Sequence, residues 1–246
     1  MKGGTTVKVT LKSRKKNAIY EYKVCAYTTV NGKITPGKMS TAVFKLNIPT
    51  TTPTCTETKK KAAMSSTTPI VNPSKEEKFY RVFSKIPKKT VNQNYPGGLY
   101  TTAKKALKNM TTVTVKVWDY ASGISGKKVT RTFTMSVHKK IAPTVVKIFD
   151  IIYKNPEKFP IHDLGGYRTP SGHSEHNTGT AMDLNYNENY QIAGGSILCG
   201  SLWKPGKNPY SIPTDGIVAC AFAKYGFSQG IWKSTQDYMH FSYFHT

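Results

Sequence analysis

The sequence predicts an α+β fold, and three observations carry that reading. Residues 112–117 and 129–137 alternate apolar with polar, the period of half-buried strands. Val145, Ile148, Phe149 and Ile152 then form an apolar stripe at helical spacing. Two more alternating runs, 180–186 and 238–243, lie far apart in the chain, and each carries ionisable groups on one face.

The elements follow in order. In residues 1–50, Val7, Val9 and Leu11 alternate with polar neighbours, then Tyr20, Tyr22, Val24 and Ala26, then Ala42, Phe44 and Leu46. Asn31-Gly32 between the last two runs is a hairpin turn signal. Residues 51–74, rich in Thr, Pro, Ser and Lys, read as a linker. Residues 75–246 read as the main domain. Its first part is weakly patterned, with a turn at Tyr95-Pro96-Gly97-Gly98 and a short helix expected within 101–110. A β-hairpin follows. Val113, Val115 and Val117 face inward on one strand, and Val129, Phe133, Met135 and Val137 on the other. Pro143 suits the first turn of the next helix, and Asn155-Pro156 ends it. A second helix is expected from an N-cap near Thr214, burying Ile217 and Ala221 and stopping at Gly226. Residues 187–213 read as a loop forming a lip over a cleft.

Composition bounds the function more loosely. The chain has 246 residues, with 36 Lys+Arg against 13 Asp+Glu, a formal charge of +23. Such a field attracts polyanions, whether nucleic acid or anionic wall polymers. The basic residues are scattered and no nucleic-acid-binding motif is present. No run is long and apolar enough to span a bilayer. Met1-Lys2-Gly3-Gly4-Thr5 lacks the apolar run of a signal peptide, which a secreted protein needs, so a longer precursor is left open. Cys25, Cys55, Cys199 and Cys220 have no metal-ligand spacing; a Cys199–Cys220 bridge and two buried free thiols are both open.

The chemistry concentrates in Ser174-Glu175-His176-Asn177-Thr178-Gly179-Thr180-Ala181-Met182-Asp183 and in Asp237-Tyr238-Met239-His240-Phe241. Together they offer two imidazoles and two carboxylates. A catalytic zinc takes three protein ligands and keeps one position open. His176 and Asp183 are too far apart for one helical turn, but on a strand Ala181, Asp183 and Asn185 face one way while Met182, Leu184 and Tyr186 enter the core. In the second segment Met239, Phe241 and Tyr243 take the core side and His240 the other. Asp237 and His240 reach one site only if the chain bends between them. His138, His162, His173 and His245 read as structural or loop histidines, and Trp232 as packing.

The pattern S-x-H-x-x-G-x-A-x-D followed by D-x-x-H resembles the VanY-type D-alanyl-D-alanine carboxypeptidases, zinc metallopeptidases of the LAS group. Gly165-Gly166-Tyr167-Arg168 and Lys224-Tyr225-Gly226-Phe227 leading to Trp232 add to the likeness. The resemblance implies a small antiparallel sheet with helices packed beside it, as in the LAS and hedgehog group. It implies His176, Asp183 and His240 as Zn2+ ligands, Asp237 as general base, Arg168 on the substrate carbonyl oxygen and Ser174 touching substrate. The implied activity is hydrolysis of peptidoglycan stem peptides at the bacterial cell wall, with release of terminal D-Ala. An endopeptidase cutting L-Ala–D-Glu, of endolysin or autolysin type, and a non-catalytic wall-binding module are the alternatives. Residues 1–50 form a β-rich segment that resembles part of a fibronectin type III module.

Overall fold

The computed structural model describes residues 19–30, 33–45, 67–84, 100, 102–124, 126–169, 174–232 and 234–244. The chain divides into two compact units, Met1–Cys55 and Thr56–Thr246. In the first, strands β1 (Ile19–Val30) and β2 (Lys33–Lys45) pair antiparallel from Ile19↔Lys45 to Val30↔Lys33, with a bulge between Cys25 and Tyr27. This is a single hairpin, and it does not carry the fibronectin resemblance. The expected run at Val7, Val9 and Leu11, the Asn31-Gly32 turn and most of the expected linker lie outside the described residues.

The second unit opens with α1 (Lys75–Phe83), an element the periodicity does not announce. Ser74 and Glu77 form a reciprocal capping box: Ser74 Oγ accepts from the Glu77 N–H at 3.2 Å, and Glu77 Oε2 accepts from the Ser74 N–H at 2.7 Å. The short α2 (Ala103–Leu107), capped by Thr102, falls within the expected window. Strands β3 (Met110–Tyr120) and β4 (Lys128–His138) form the expected hairpin, in register from Met110↔His138 to Tyr120↔Lys128. Val113, Val115, Val117, Met135 and Val137 are buried, and α3 (Ala142–Lys154) sets Val145, Ile148, Phe149 and Ile152 in the same core.

The sheet that carries the site is made of β5 (Leu164–Gly165), β6 (Ala181–Leu184), β7 (Gln191–Ala193), β8 (Ser196–Cys199), β9 (Ser228–Ile231) and β10 (Thr235–Ser242). β10 is its axis. One edge of β10 pairs with β9. The other edge is shared: residues 235–237 pair with β7 and residues 240–242 with β6. α4 (Ile217–Lys224) packs behind it, where Phe222 stacks on Phe241 at 4.3 Å between ring centres and meets Phe149 of α3 edge-on at 5.9 Å. Apolar burial at this junction joins both helices to β10.

Four expectations are corrected. Residues 187–213 are not a plain loop: β7 and β8 extend the sheet, turning at Gly194-Gly195. α4 is capped by Gly216 rather than Thr214, and Val218, not Ile217, is its first buried residue. Tyr186 is exposed and Asn185 fully buried, the reverse of the alternation, because β6 ends at Leu184 and Asn185 turns left-handed (φ 49°). The Asn185 amide then donates to Pro160 O and Tyr210 O, both at 3.0 Å, and accepts from the His162 N–H at 2.9 Å. Cys199 and Cys220 are free thiols, the second of the two open alternatives, but they are not both buried: Cys199 is half-buried and Cys220 exposed.

His138 is fully buried at the end of β4, its Nε2 3.1 Å from the Tyr100 hydroxyl and its Nδ1 accepting from the Lys140 N–H at 3.2 Å. Burial, with the charges of Lys139 and Lys140, pushes its pKa down to about 4. The imidazole is therefore neutral in the fold and ordinary when unfolded, so its contribution to stability is complete above pH 6.5 and is lost as pH falls from there toward about 4. Over that window we expect unfolding free energy to drop by about 3 kcal/mol from this group. Urea titrations across the window, compared with His138→Phe, check it: the variant should lack this part of the acid sensitivity.

Candidate metal centre and active site

Two segments build the site, each held by backbone chemistry. Ser174 Oγ accepts from the His176 N–H at 3.3 Å and opens a 3₁₀ turn, Glu175–Thr178. Gly179 ends it in the left-handed region (φ 64°) and passes close under β4. A Cβ there would meet the sulfur of Met110 and lie 2.7 Å from the His138 nitrogen, so only glycine lets the chain turn from His176 into β6. Asp183 on β6 lies opposite His240 on β10. The bend required between Asp237 and His240 is present as a register shift: Asp237 faces Gly230, whereas Phe241 already faces Gln229. The Gln229 side-chain amide fills that bulge, donating to Tyr238 O at 2.7 Å.

His176 Nε2, His240 Nδ1 and Asp183 Oδ1 converge in a triangle with sides of 3.2, 3.0 and 3.1 Å. A tetrahedral zinc with bonds of about 2.1 Å sets its ligand atoms about 3.4 Å apart, so the triangle fits such an ion after a slight opening. Proton counting points the same way. His176 Nδ1 lies 2.6 Å from Gly166 O, and a carbonyl only accepts, so the ring proton sits on Nδ1 and Nε2 presents a lone pair. Against the effect of burial, Asp183 holds the His240 pKa above its ordinary value, so the triangle calls for positive charge that a metal ion would supply in place of a proton. A cation is the natural occupant, and the Gly166 carbonyl is the outer partner that fixes the His176 tautomer. These three residues are the metal-capable cluster among the described residues.

Electrostatics separates the two aspartates. Burial works to raise Asp183, but hydrogen bonds and charge from His176 and His240 outweigh it and hold the carboxyl well below the usual range. Arg168 reaches its other oxygen, Oδ2, at 3.1 Å, and keeps further N–H groups exposed. Asp237 is the opposite case. Burial, with the negative charge of Asp183 adding to it, pushes its pKa up to about 6. Its Oδ1 and the Nε2 of His240 are buried without a partner. One carboxylate is committed to cations, and the other is held ready for a proton.

The structure thus brings His176, Asp183, His240, Asp237 and Arg168 together. Ser174 acts through its hydroxyl on the turn. His138 is structural, His162 pairs with Glu188 at 2.8 Å, and His173 and His245 lie outside the described residues. Trp232 packs against the site, its ring centre 5.8 Å from that of His240. Glu175 went unread in the sequence. Its carboxylate is buried, takes a short hydrogen bond from Ser242 Oγ, and accepts from the N–H groups of Tyr243 and Phe244 at 2.9 and 3.0 Å. It ties the His176 turn to the end of β10, and its place beside His176 in the motif was the only available signal.

Residues 168–243 match the family model described as D-alanyl-D-alanine carboxypeptidase, of the M15 peptidases. The match supports a peptidase, and its span includes Arg168, Ser174, His176, Asp183, Asp237 and His240. No curated protein and no solved structure matches the chain. The observed architecture, small antiparallel sheets with a few helices, is consistent with an M15-type fold.

Replacing Glu175 by Ala removes the carboxylate that accepts from the Tyr243 and Phe244 N–H groups and from the Ser242 hydroxyl. We expect a loss of about 3 kcal/mol or more in urea unfolding. Metal retained after dialysis should fall with it, measured by elemental analysis, because the two ligand segments lose their tie.

Proposed function

We propose that this chain is a zinc-dependent peptidase of peptidoglycan stem peptides, with residues 75–246 as the peptidase domain and removal of a terminal D-Ala as its reaction. The observation that carries the reading is the division of labour between Asp183, inside the His176–His240 triangle, and Asp237, beside it with a raised pKa and an unpartnered oxygen. The family match supplies the peptide and the wall as context. Zinc held by His176, Asp183 and His240 supplies Lewis acidity toward water and the scissile carbonyl.

The remaining steps belong to the chain. Asp237 takes a proton from the attacking water and returns it to the leaving nitrogen. Arg168, using N–H groups not bound to Asp183, holds the carbonyl oxygen as it gains negative charge. Ser174 orients His176 and flanks the substrate. The net charge of +23 favours residence among anionic wall polymers outside the cell. No helix among the described residues is long and apolar enough to cross a membrane. A wall-binding module without activity would have no use for the buried, proton-ready Asp237.

Incubation of the zinc-loaded protein with a synthetic pentapeptide stem, followed by mass spectrometry, tests the reading. Release of one D-Ala is expected. A cut beside the Glu residue would instead establish the endopeptidase, and intact peptide would refute both.

Asp237→Ala should keep its zinc and lose about 100-fold or more in kcat/KM, whereas His176→Ala or chelation should remove both zinc and activity. Because Asp237 accepts a proton only when ionised, kcat/KM should fall on the acid side, approaching tenfold per pH unit. Burial raises Asp237 to about 6 in the metal-free chain and a bound cation lowers it from there, so the fall should lie at or below about 6. An acid limb left unchanged by Asp237→Ala would exclude Asp237 as the base.

A further inference from the structure

The register of the sheet arranges the site in two rows. One row, Gly165–Asp183–His240, runs across β5, β6 and β10 and ends on the metal ligands. The other runs across β9, β10, β7 and β8 as Gly230–Asp237–Gln191–Cys199. Directly opposed residues of antiparallel strands share a face, with Cβ atoms about 5 Å apart. Gln191 is therefore the side chain next to Asp237 on one flank. On the other flank stands Gly230, covered by the Trp232 ring: a Cβ on Gly230 would lie 2.9 Å from Trp232 Cη2. The polar side of Asp237 is the Gln191 side.

Gln191 is oriented. Its Oε1 accepts from the Cys199 thiol at 3.5 Å, and Tyr186 lies against the same sulfur. With the oxygen so engaged, the two N–H groups of Nε2 are turned elsewhere, and no described residue accepts them. Cys199 continues the row from Asp237 through the Asp237↔Gln191 and Gln191↔Cys199 pairs.

Resting on the peptidase reading above, we propose that Gln191 binds the leaving half of the substrate and that Cys199 is the positioning residue for its amide. Asp237 returns its proton to the leaving nitrogen, so that nitrogen must lie over Asp237. The carboxyl carbon of the same amino acid is about 2.5 Å from its nitrogen. With the opposite end of the bond held at Arg168 and the metal ligands, the leaving residue extends toward Gln191. The amide N–H groups there meet its carboxylate, or its carbonyl in a longer chain. A neutral donor suits both, while a carboxylate in its place would repel a free terminus.

The test uses the full zinc-loaded chain and two probes, a pentapeptide stem with a free terminal carboxylate and the same stem as its C-terminal amide. Gln191→Ala should raise KM for the free acid by about tenfold with kcat little changed, the scale of one hydrogen bond to a charged group. Gln191→Glu should penalise the free acid more than the amide. Cys199→Ser, which keeps a donor, should retain a near-native KM, whereas Cys199→Ala should raise it. A purely structural role would move stability and zinc content without this split between acid and amide. In parallel, affinity for the free acid is measured by calorimetry in the Asp237→Ala background. Equal affinity with and without Gln191→Ala overturns the inference whether or not the wild type hydrolyses the stem. Wild-type protein that binds but never cleaves the stem would instead count against the peptidase reading alone.

Discussion

One edge of β10 serves two partners, and the site exists because of it. Residues 240–242 pair with β6 and residues 235–237 with β7, so the two short strands meet the same edge in succession. Tyr238 and Met239 lie at the junction, where the opposite edge carries its bulge. A regular ladder would put Asp237 and His240 on opposite faces. The shared edge and the bulge bring both to one face, so that an imidazole and a carboxylate three residues apart reach one site. The stack of Phe241 on Phe222, and of Phe222 against Phe149, fixes β10 from behind.

The second constraint is the tie between segments. Fixing distant pieces of backbone costs conformational entropy. Glu175 offsets this by joining the His176 turn to Ser242, Tyr243 and Phe244, while Gly179 and the His138 N–H (donating to Gly179 O at 2.8 Å) hold the turn to β4. The ligand triangle is thus assembled by hydrogen bonds that do not involve the metal. That is the physical content of preorganisation: the donors stand in place before the charge they serve arrives.

What the sequence made legible follows from what each residue type can say alone. Alternation at Val113, Val115 and Val117 and the stripe from Val145 to Ile152 report burial directly, and the structure buries them. The site was legible because a glycine, two histidines and two aspartates at these spacings have few other uses. Three things stayed hidden. Glu175 is a charged residue in a turn, which ordinarily faces water, and only the fold reveals its three donors. Asn185 broke the period of β6 because its left-handed backbone and buried amide answer to Pro160 and Tyr210, far from it in sequence. β7 and β8 are three and four residues long, too short for a period to register, and only the Gly194-Gly195 turn marked them. In each case the missing information was a long-range partner.

The charge distribution gives the arrangement a further logic. The chain holds 36 basic residues and only 13 acidic ones, yet Glu175, Asp183 and Asp237 all stand at or directly behind one site. The two scales do different work. At long range the positive excess draws the molecule to anionic surroundings, an effect that ordinary salt screens within about 10 Å. At short range the buried carboxylates reverse the sign locally, so a divalent cation finds a negative pocket inside a positive protein. Arg168 sits on the boundary, one N–H group on Asp183 and the rest toward solvent. The site thus has positive charge on one flank and, across the row from Asp237 to Gln191, a neutral amide on the other. The order of these groups along the sheet, guanidinium, carboxylates and amide, is set by strand register.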